Sequence, residues 1–219
     1  MFEQLEARRL LSAVVSFSDG TTASQSGSGS VTIKMDKATK GGSKGGASAS
    51  AMNITVLENE ITQVPNGPTI GLGNVLVHDN TTGEETVIYG LKPGKVVHIQ
   101  GGKGNDTIFF QGQTVSADIK GDDGSDNITV LDKGNVSSKI DSGDGDDVVA
   151  IVYSKNADIK TGKGNDVVLI NTAADFNNTF DFDYSLSNIK VNTGGSDTVI
   201  EVFAGQVDAH GGHFQIVNA

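Results

Sequence analysis

The chain of 219 residues contains no cysteine and no tryptophan, and aromatic residues make up only 5% of it. Without cysteine, neither disulfide bonds nor thiolate metal sites are available. No segment approaches the ~20 consecutive apolar residues that a membrane-spanning helix requires, so we expect no membrane span. Glycine, by contrast, supplies 29 residues. This profile favours a narrow, turn-rich β architecture over a broad globular core.

Basic residues are scarce after the first 50 positions. Residues 1–50 contain six Lys/Arg and four Asp/Glu, whereas the remaining 169 contain ten and twenty-three, and the net charge is −11. Nucleic-acid binding is not expected, because phosphate contacts need clustered Lys and Arg. The acidic residues gather at turns, which favours cations as partners over a merely solubilising acidic surface.

Composition divides the chain into four segments. Residues 1–15 form an N-terminal targeting-like segment, in which an arginine pair precedes a short apolar stretch; a frayed helix is the alternative. The Ser/Gly-rich residues 16–52 predict a flexible linker. Residues 53–95 alternate apolar and polar positions without a Gly-x-Asp turn, and we interpret them as irregular capping β-coils. Residues 96–219 contain the repeats and a C-terminal cap.

The repeats are marked by Gly-x-Asp turns, each followed by a β-branched residue two places after the aspartate. They end at Asp106, Asp126, Asp147, Asp166 and Asp197, at intervals of 20, 21, 19 and 31 residues. A fixed period of this length is typical of a solenoid, in which each repeat buries its apolar face only against its neighbours. The prediction is therefore an all-β protein: a parallel β-solenoid (β-roll or β-helix) with about 20 residues per coil and irregular capping strands.

Stacked turns would place their carboxylates close together. Neighbouring strands lie ~4.8 Å apart, and two unit charges at that distance repel by ~0.9 kcal/mol in water and ~3.5 kcal/mol at an effective dielectric near 20. A divalent ion reverses the sign of this interaction. Calcium suits the turns best, because it accepts six to eight oxygen ligands in flexible geometry and glycine turns expose their carbonyls.

Residues 101–109 (GGKGNDTIF) match the nonapeptide G-G-x-G-x-D-x-U-x at every position. The repeats therefore resemble the haemolysin-type, or RTX-like, calcium-binding family. The resemblance covers roughly residues 96–200 and implies a β-roll in which aspartates and turn carbonyls hold calcium between successive turns. The family commonly has two such turns per coil, and this chain has one, so we expect a single calcium edge opposite ordinary turns. The implied metal-binding residues are Gly102, Gly104, Asp106, Gly121, Asp123, Gly124, Asp126, Gly143, Gly145, Asp147, Gly162, Gly164, Asp166 and Asp197.

The N-terminal segment carries a second resemblance. Residues 5–11 (LEARRLL) are similar to the LEPR-x-LL type of motif found at the start of many large secreted or surface repeat proteins of one bacterial phylum, with Ala7 in place of proline. The resemblance implies a secreted or cell-surface bacterial protein.

Recognisable catalytic motifs are absent from the sequence. There is no H-E-x-x-H and no nucleophile motif, and His210 and His213 lack an evident third zinc ligand. The sequence thus predicts a non-catalytic calcium-binding repeat module of a secreted or surface protein, with calcium ordering the stacked turns. The alternatives are a structural or adhesive β-solenoid without a specific ion, and a polysaccharide-active β-helix.

Overall fold

The computed structural model describes residues 14–35, 51–60, 73–91, 93–132, 137–152, 154, 156–171, 188–194, 198–202, 206–210 and 213–216. Throughout this part of the chain the secondary structure is strand and turn, with no helix. The all-β prediction is confirmed. None of the residues in these ranges forms a helix long and apolar enough to cross a membrane.

The chain forms short strands joined by turns. In chain order they are β1 (Val14–Ser16), β2 (Thr21–Gln25), β3 (Val31–Met35), β4 (Asn53–Glu60), β5 (Gly73–Asp79), β6 (Glu85–Leu91), β7 (Val96–Lys103), β8 (Thr107–Gly112), β9 (Ser116–Asp123), β10 (Asn127–Asp132), β11 (Ser137–Asp141), β12 (Val148–Val152), β13 (Asn156–Lys160), β14 (Val167–Asn171), β15 (Asn188–Asn192), β16 (Thr198–Val202), β17 (Gln206–His210) and β18 (His213–Ile216).

The strands assemble into two mostly parallel sheets of nine strands each. Sheet 1 has the order β1-β2-β3-β7-β9-β11-β13-β15-β17, and sheet 2 has the order β18-β16-β14-β12-β10-β8-β4-β5-β6. From β7 onward, consecutive strands alternate between the sheets. Each repeat therefore contributes one strand to each sheet. In the repeats that contain Asp106, Asp126, Asp147 and Asp166, a Gly-x-Asp turn follows the sheet 1 strand.

The pairing places equivalent residues of successive repeats side by side. Ile99, Ile119 and Ile140 are in register on sheet 1, and Ile108 and Ile128 are in register on sheet 2. Because side chains alternate between the two faces of a strand, these isoleucines point inward, together with valines at the alternate inward positions such as Val130 and Val149. They form one hydrophobic core along the repeats, and most of its members are fully buried.

The N-terminal strands differ from the sequence prediction. Residues 16–52 were predicted to be a flexible linker, but residues 21–35 form β2 and β3. Strand β3 pairs in parallel with β7, and its Val31 and Ile33 are completely buried. The Ser/Gly-rich composition concealed these two core positions. The linker prediction is therefore wrong for this part, while residues 1–13 and 36–50 lie outside the described residues.

The first repeat begins before residue 96. Strand β4 pairs in parallel with β8, as β3 does with β7, so these two strands make up a repeat of their own. Strands β5 and β6 then extend sheet 2 in antiparallel fashion, and β2 and β1 do the same for sheet 1. Within residues 53–95, β5 and β6 form an antiparallel end to the parallel array.

The fifth Gly-x-Asp turn is shorter than the fourth. Asn192 pairs with Lys160 and Thr198 pairs with Val167. Residues 193–197 connect the strands in the fifth turn, and residues 161–166 connect them in the fourth, so the fifth is shorter by one residue. Asp197 itself lies outside the described residues.

Candidate cation site at the stacked turns

Each of the four fully described Gly-x-Asp turns is shaped by two positions with left-handed backbone. In these turns the residue two places before the aspartate is a glycine with positive φ, at Gly104, Gly124, Gly145 and Gly164. The residue four places before it also has positive φ, and it is Gly102, Gly143 or Gly162 in three of the four turns. Glycine adopts this conformation without steric cost, which explains the sequence pattern.

The turns also stack too closely for side chains at these glycines. A Cβ at Gly124 would overlap the carbonyl oxygen of Gly104, and one at Gly145 would overlap that of Gly124. Backbone hydrogen bonds join the turns: the Gly104 amide donates to the Asp123 carbonyl at 2.9 Å. The backbone of one turn therefore rests directly on the next.

This stacking brings four of the predicted aspartates into a single buried column. Asp106, Asp126, Asp147 and Asp166 are each no more than 2% exposed. Each accepts, through Oδ1, a hydrogen bond from the preceding repeat. The Asp106 amide donates to Asp126 at 2.8 Å, the Asp126 amide to Asp147 at 2.8 Å, and the Asp147 amide to Asp166 at 2.9 Å. We call this arrangement the aspartate ladder.

Met52 occupies the equivalent position in the first repeat. Its amide donates to Asp106 Oδ1 at 2.7 Å, and its carbonyl accepts from the Thr107 amide at 2.7 Å, as the Asp106 carbonyl does from the Asn127 amide. The side chain of Met52 is completely buried. The aspartate ladder therefore starts on an apolar residue, a position that the Gly-x-Asp pattern does not reveal.

The second carboxylate oxygen of the ladder aspartates is left without a hydrogen bond. Oδ2 of Asp106, of Asp126 and of Asp147 is buried and receives none. Asp126 Oδ2 faces Gly121, where a Cβ would overlap both this oxygen and the Ser142 carbonyl oxygen. Two acceptors thus lie side by side. Such a pair requires a shared positive group, either a proton or a cation, because a buried unpaired carboxylate is costly.

The electrostatic environment opposes ionisation of these carboxyls. The pKa of Asp106 is raised to about 7: burial is the largest cause, the Met52 amide acts in the lowering direction, and the neighbouring Asp126 and Asp122 charges add to the rise. Burial likewise raises the pKa of Asp126 to about 6, with Asp147 and Asp122 adding to the rise and the Asp106 amide lowering it. The pKa of Asp147 is also raised, mainly by burial.

A serine replaces the facing glycine in the repeat that contains Asp147. Gly101 and Gly121 precede their aspartates by five residues, and Ser142 holds the same place before Asp147. The Ser142 hydroxyl donates to the Thr161 carbonyl at 2.9 Å and is close enough to Asp147 to lower its pKa against the larger effect of burial. The Ser142 hydroxyl thus moderates the rise in the pKa of Asp147, although Asp147 Oδ2 still receives no hydrogen bond.

The exposed side of the turns carries charges that do not join the buried column. Asp123 is 62% exposed and pairs with Lys103 at 3.0 Å, and Asp144 pairs with Lys163 at 2.6 Å. The predicted metal ligand Asp123 thus points to solvent. The backbone carbonyl of Asp123, rather than its side chain, contacts the neighbouring turn, where it accepts the Gly104 amide.

A second side-chain ladder runs along this exposed side. The residue just before each aspartate accepts an amide hydrogen bond from the next repeat: Asn105 from Ser125 at 2.9 Å, Ser125 from Asp146 at 3.3 Å, and Asp146 from Asn165 at 2.9 Å. In the aspartate ladder the amide donor lies in the preceding repeat instead. The two ladders therefore hold each turn from both sides.

Asp122 is a residue of this site that sequence reasoning missed. It pairs with Gly102 and is the only described residue other than glycine with positive φ, at 76°. Aspartate tolerates this conformation better than most side chains, but at a cost. The predicted Gly121 lies one residue earlier, beside Gly101. Asp122 is half-buried, accepts a hydrogen bond from Gln100 at 3.0 Å, and adds charge beside Asp106 and Asp126.

The turns on the opposite side also contain buried acids, where the sequence predicted ordinary turns. Glu58 accepts the amides of Gln113, Thr114 and Val115 at 2.6, 2.8 and 3.1 Å. Asp132 is completely buried and accepts the Ser138 hydroxyl at 2.7 Å. Burial, the largest cause, raises the pKa of Asp132 to about 6. These two positions carry no Gly-x-Asp signature.

The ladder provides an oxygen-only, negatively charged environment. Among the residues that the structure describes, no three His, Cys, Asp or Glu side chains converge as a metal cluster. Backbone carbonyls would therefore have to supply part of any coordination shell. The glycines predicted as ligands, from Gly102 to Gly164, shape the turns and bring these carbonyls close to the carboxylates.

No protein-family model, curated protein or solved structure matches the chain. The similarity to haemolysin-type repeats therefore rests on the nonapeptide match and the repeat spacing, and membership of that family stays a prediction.

Proposed function

We propose that the chain is a non-catalytic calcium-binding repeat module of a secreted or cell-surface protein, built as a parallel β-solenoid in which each repeat forms one coil. The observation that supports calcium most directly is the pair of buried, unpartnered Oδ2 atoms of Asp106 and Asp126. Each lies beside a backbone carbonyl of the next repeat. Oxygen donors with excess negative charge are the ligands that calcium prefers.

The residues that would hold the ion are Asp106 and Asp126, together with the carbonyls of Gly121 and Ser142. Asp122 would contribute charge from the next position. Calcium takes six to eight oxygens, so waters and further turn carbonyls complete the set. Bound calcium supplies the positive charge that the stacked carboxylates lack. This converts a repulsive column into one that favours the folded chain.

Calcium binding of this kind couples folding to the surroundings. A ligand that binds only the folded state stabilises it by RT ln(1 + [Ca]/Kd). Extracellular calcium sites commonly have Kd values of ~10⁻⁴–10⁻³ M. The chain would then remain less stable in calcium-poor cytosol and become more stable after export, which agrees with the predicted targeting-like segment.

A structural solenoid without an ion is the second candidate, and the aspartate ladder favours it. The Oδ1 atoms of Asp126 and Asp147 already accept amide hydrogen bonds from the preceding repeat. This role requires an acceptor but no metal. Under this alternative a proton neutralises each buried carboxyl, and the turns serve only to hold the repeats together.

The variant Asp126→Asn separates the two candidates. Asparagine keeps an Oδ1 acceptor for the Asp106 amide and places an NH₂ donor beside the Ser142 carbonyl. It removes only the charge. If calcium binds here, calorimetric affinity should fall at least about tenfold, or about 1.4 kcal/mol. If the role is purely structural, the variant should fold with equal or greater stability, and the unsubstituted chain should bind no calcium.

A matched control is Asp141→Asn, which removes the same charge from an exposed aspartate paired with Lys160 at 3.3 Å. Its calcium affinity should equal that of the unsubstituted chain. Magnesium should not replace calcium, because it demands tighter octahedral geometry. Identical circular dichroism and thermal unfolding in millimolar calcium and in chelator would contradict the calcium proposal.

A further inference from the structure

The residue five places before each ladder aspartate divides the four described turns into two kinds. It is a glycine in the first two turns, Gly101 and Gly121, and a hydroxyl residue in the next two, Ser142 and Thr161. All four positions are buried. Protein interiors are close-packed, so the presence or absence of one side chain here decides what else can fit between two turns.

Glycine allows a carboxylate oxygen and a carbonyl oxygen to converge in the first two turns. At Gly101 a Cβ would overlap Oδ2 of Asp106 and lie 2.9 Å from the carbonyl oxygen of Gly121. At Gly121 a Cβ would overlap Oδ2 of Asp126 and the carbonyl oxygen of Ser142. Each of these turns therefore combines a buried Oδ2 that receives no hydrogen bond with a backbone carbonyl of the following turn.

The turn that contains Asp147 is filled by a side chain at this place. Ser142 is completely buried, and its hydroxyl donates to the Thr161 carbonyl at 2.9 Å. This carbonyl corresponds to those of Gly121 and Ser142 in the two preceding turns. It already has a donor, although Asp147 Oδ2 still receives none. In the fourth turn a larger side chain, that of Thr161, is buried at the same place.

Neither backbone conformation nor packing explains the two glycines. Gly101 and Gly121 do not have the left-handed φ that makes glycine necessary elsewhere in the turns. Ser142 shows that the stack accepts a side chain at the equivalent position. A requirement for free space and an accessible carbonyl explains both glycines.

We propose that calcium binds at the two glycine turns only, one ion beside Gly101 and one beside Gly121. In the other two described turns, the Ser142 and Thr161 side chains take the place of the ion. Both sites rest on the calcium-binding function proposed above; their number and the residue that decides it are new. Calcium must approach each oxygen to ~2.3–2.6 Å, so a side chain beside the two oxygens excludes it. The Ser142 hydroxyl also occupies the carbonyl that would otherwise be a ligand.

The variant Ser142→Gly should create a third calcium site. It removes the side chain and frees the Thr161 carbonyl. Equilibrium dialysis should give two calcium ions per unsubstituted chain and three per Ser142→Gly chain. The matched control is Ser142→Ala, which loses the same hydroxyl but keeps the Cβ, so it should still bind two. Misfolding cannot produce the gain of a site.

The variant Gly121→Ser tests the same rule in the opposite direction. It should bind one calcium ion, with the circular dichroism of the unsubstituted chain. If neither variant folds, anomalous scattering from calcium-soaked crystals of the unsubstituted chain decides. Two ions should then lie beside Gly101 and Gly121, and an ion beside Ser142 would contradict the rule.

The outcomes separate this inference from the calcium-binding function itself. An unsubstituted chain that binds no calcium overturns both. A chain that binds calcium in any ratio other than two overturns only the two-site arrangement. So does a Ser142→Gly chain that still binds two ions, or a Ser142→Ala chain that binds three.

Discussion

Each aspartate of the ladder has two oxygens in different situations. In Asp126, Oδ1 accepts the Asp106 amide, and this bond holds the position of one repeat on the next. Oδ2 is buried without a partner beside another acceptor. The first oxygen explains why the fold uses a carbonyl-bearing side chain here, and asparagine would satisfy that need. Only the second oxygen requires a positive group, and so only it bears on calcium.

The raised pKa values predict how stability depends on pH. The folded chain holds protons on Asp106 up to pH about 7 and on Asp126 up to about 6, whereas both carboxyls have an ordinary pKa of 3.8. Between these limits the folded state binds more protons than the unfolded state. The free energy of unfolding should therefore fall as pH rises from about 4 to about 7 in calcium-free buffer. Each pKa unit corresponds to about 1.4 kcal/mol.

Denaturant unfolding at several pH values, with and without calcium, measures this slope. Calcium competes with the protons, so its stabilising effect should grow as pH rises through the same range. Asp126→Asn should flatten the calcium-free slope and reduce the calcium effect. Asp132→Asn is the control: it should flatten the slope, because burial also raises the pKa of Asp132 to about 6, and leave the calcium effect intact. A calcium-free stability that is the same in Asp126→Asn and the unsubstituted chain at every pH would contradict the prediction.

Three glycine variants separate backbone strain from steric overlap. Gly124→Ala combines a φ of 139° with overlap of the Gly104 carbonyl, and it should lower the free energy of unfolding by more than about 3 kcal/mol, because both costs apply. Gly94→Ala has a φ of 77° in open space, so a loss of about 1–2 kcal/mol is expected.

Gly27→Ala completes the series, since it meets nothing within 4 Å and has no left-handed φ. It should cost nothing, and reduced chain entropy in the unfolded state should stabilise it slightly. Chemical denaturation of the three variants gives the order directly. Equal effects at Gly124 and Gly94 would show that the turns do not stack as closely as the structure indicates.

At the scale of the element, sequence periodicity predicted the repeats well. The Gly-x-Asp spacing placed Asp106, Asp126, Asp147 and Asp166 in one column, because a parallel register superposes residues one period apart. It could not reveal Met52, which holds the same position without the signature. Residues 21–35 were predicted as part of a linker because the core residues of β2 and β3 are few and lie among Ser, Thr and Gly.

The turn between β8 and β9 depends on the buried carboxylate of Glu58, on the neighbouring strand β4. Glu58 accepts the amides of Gln113, Thr114 and Val115 and the Thr114 hydroxyl. Glu58→Ala leaves the buried Val115 amide and the partly buried Thr114 donors without this acceptor, and we expect a loss of about 2–4 kcal/mol in thermal or chemical unfolding. Glu58→Gln keeps one acceptor oxygen and should lose less. A similar loss for the exposed control Glu85→Ala would argue against this specific role.

At the scale of the whole molecule, the sequence predicted an all-β chain of short repeats but not its two dissimilar surfaces. Alternation of apolar and polar residues along a strand predicts which side chains point inward. Strands β12 and β14 are apolar at inward and outward positions alike, so this pattern does not distinguish their two faces. Only the register shows that their outward residues join Leu131 and Phe109 in one uncharged surface.

Asp118, Lys139, Asp158 and Lys190 occupy paired positions on neighbouring strands of sheet 1 and alternate in charge. This alternation affects how the chain can change in length. Because each repeat pairs only with its two neighbours, a whole unit could in principle be excised without disturbing the rest. Removing the unit that contains Lys139 would, however, bring Asp118 against Asp158. Removing two adjacent units would set Asp118 beside Lys190 and preserve the alternation. Duplication and loss in this lineage should therefore favour even numbers of units.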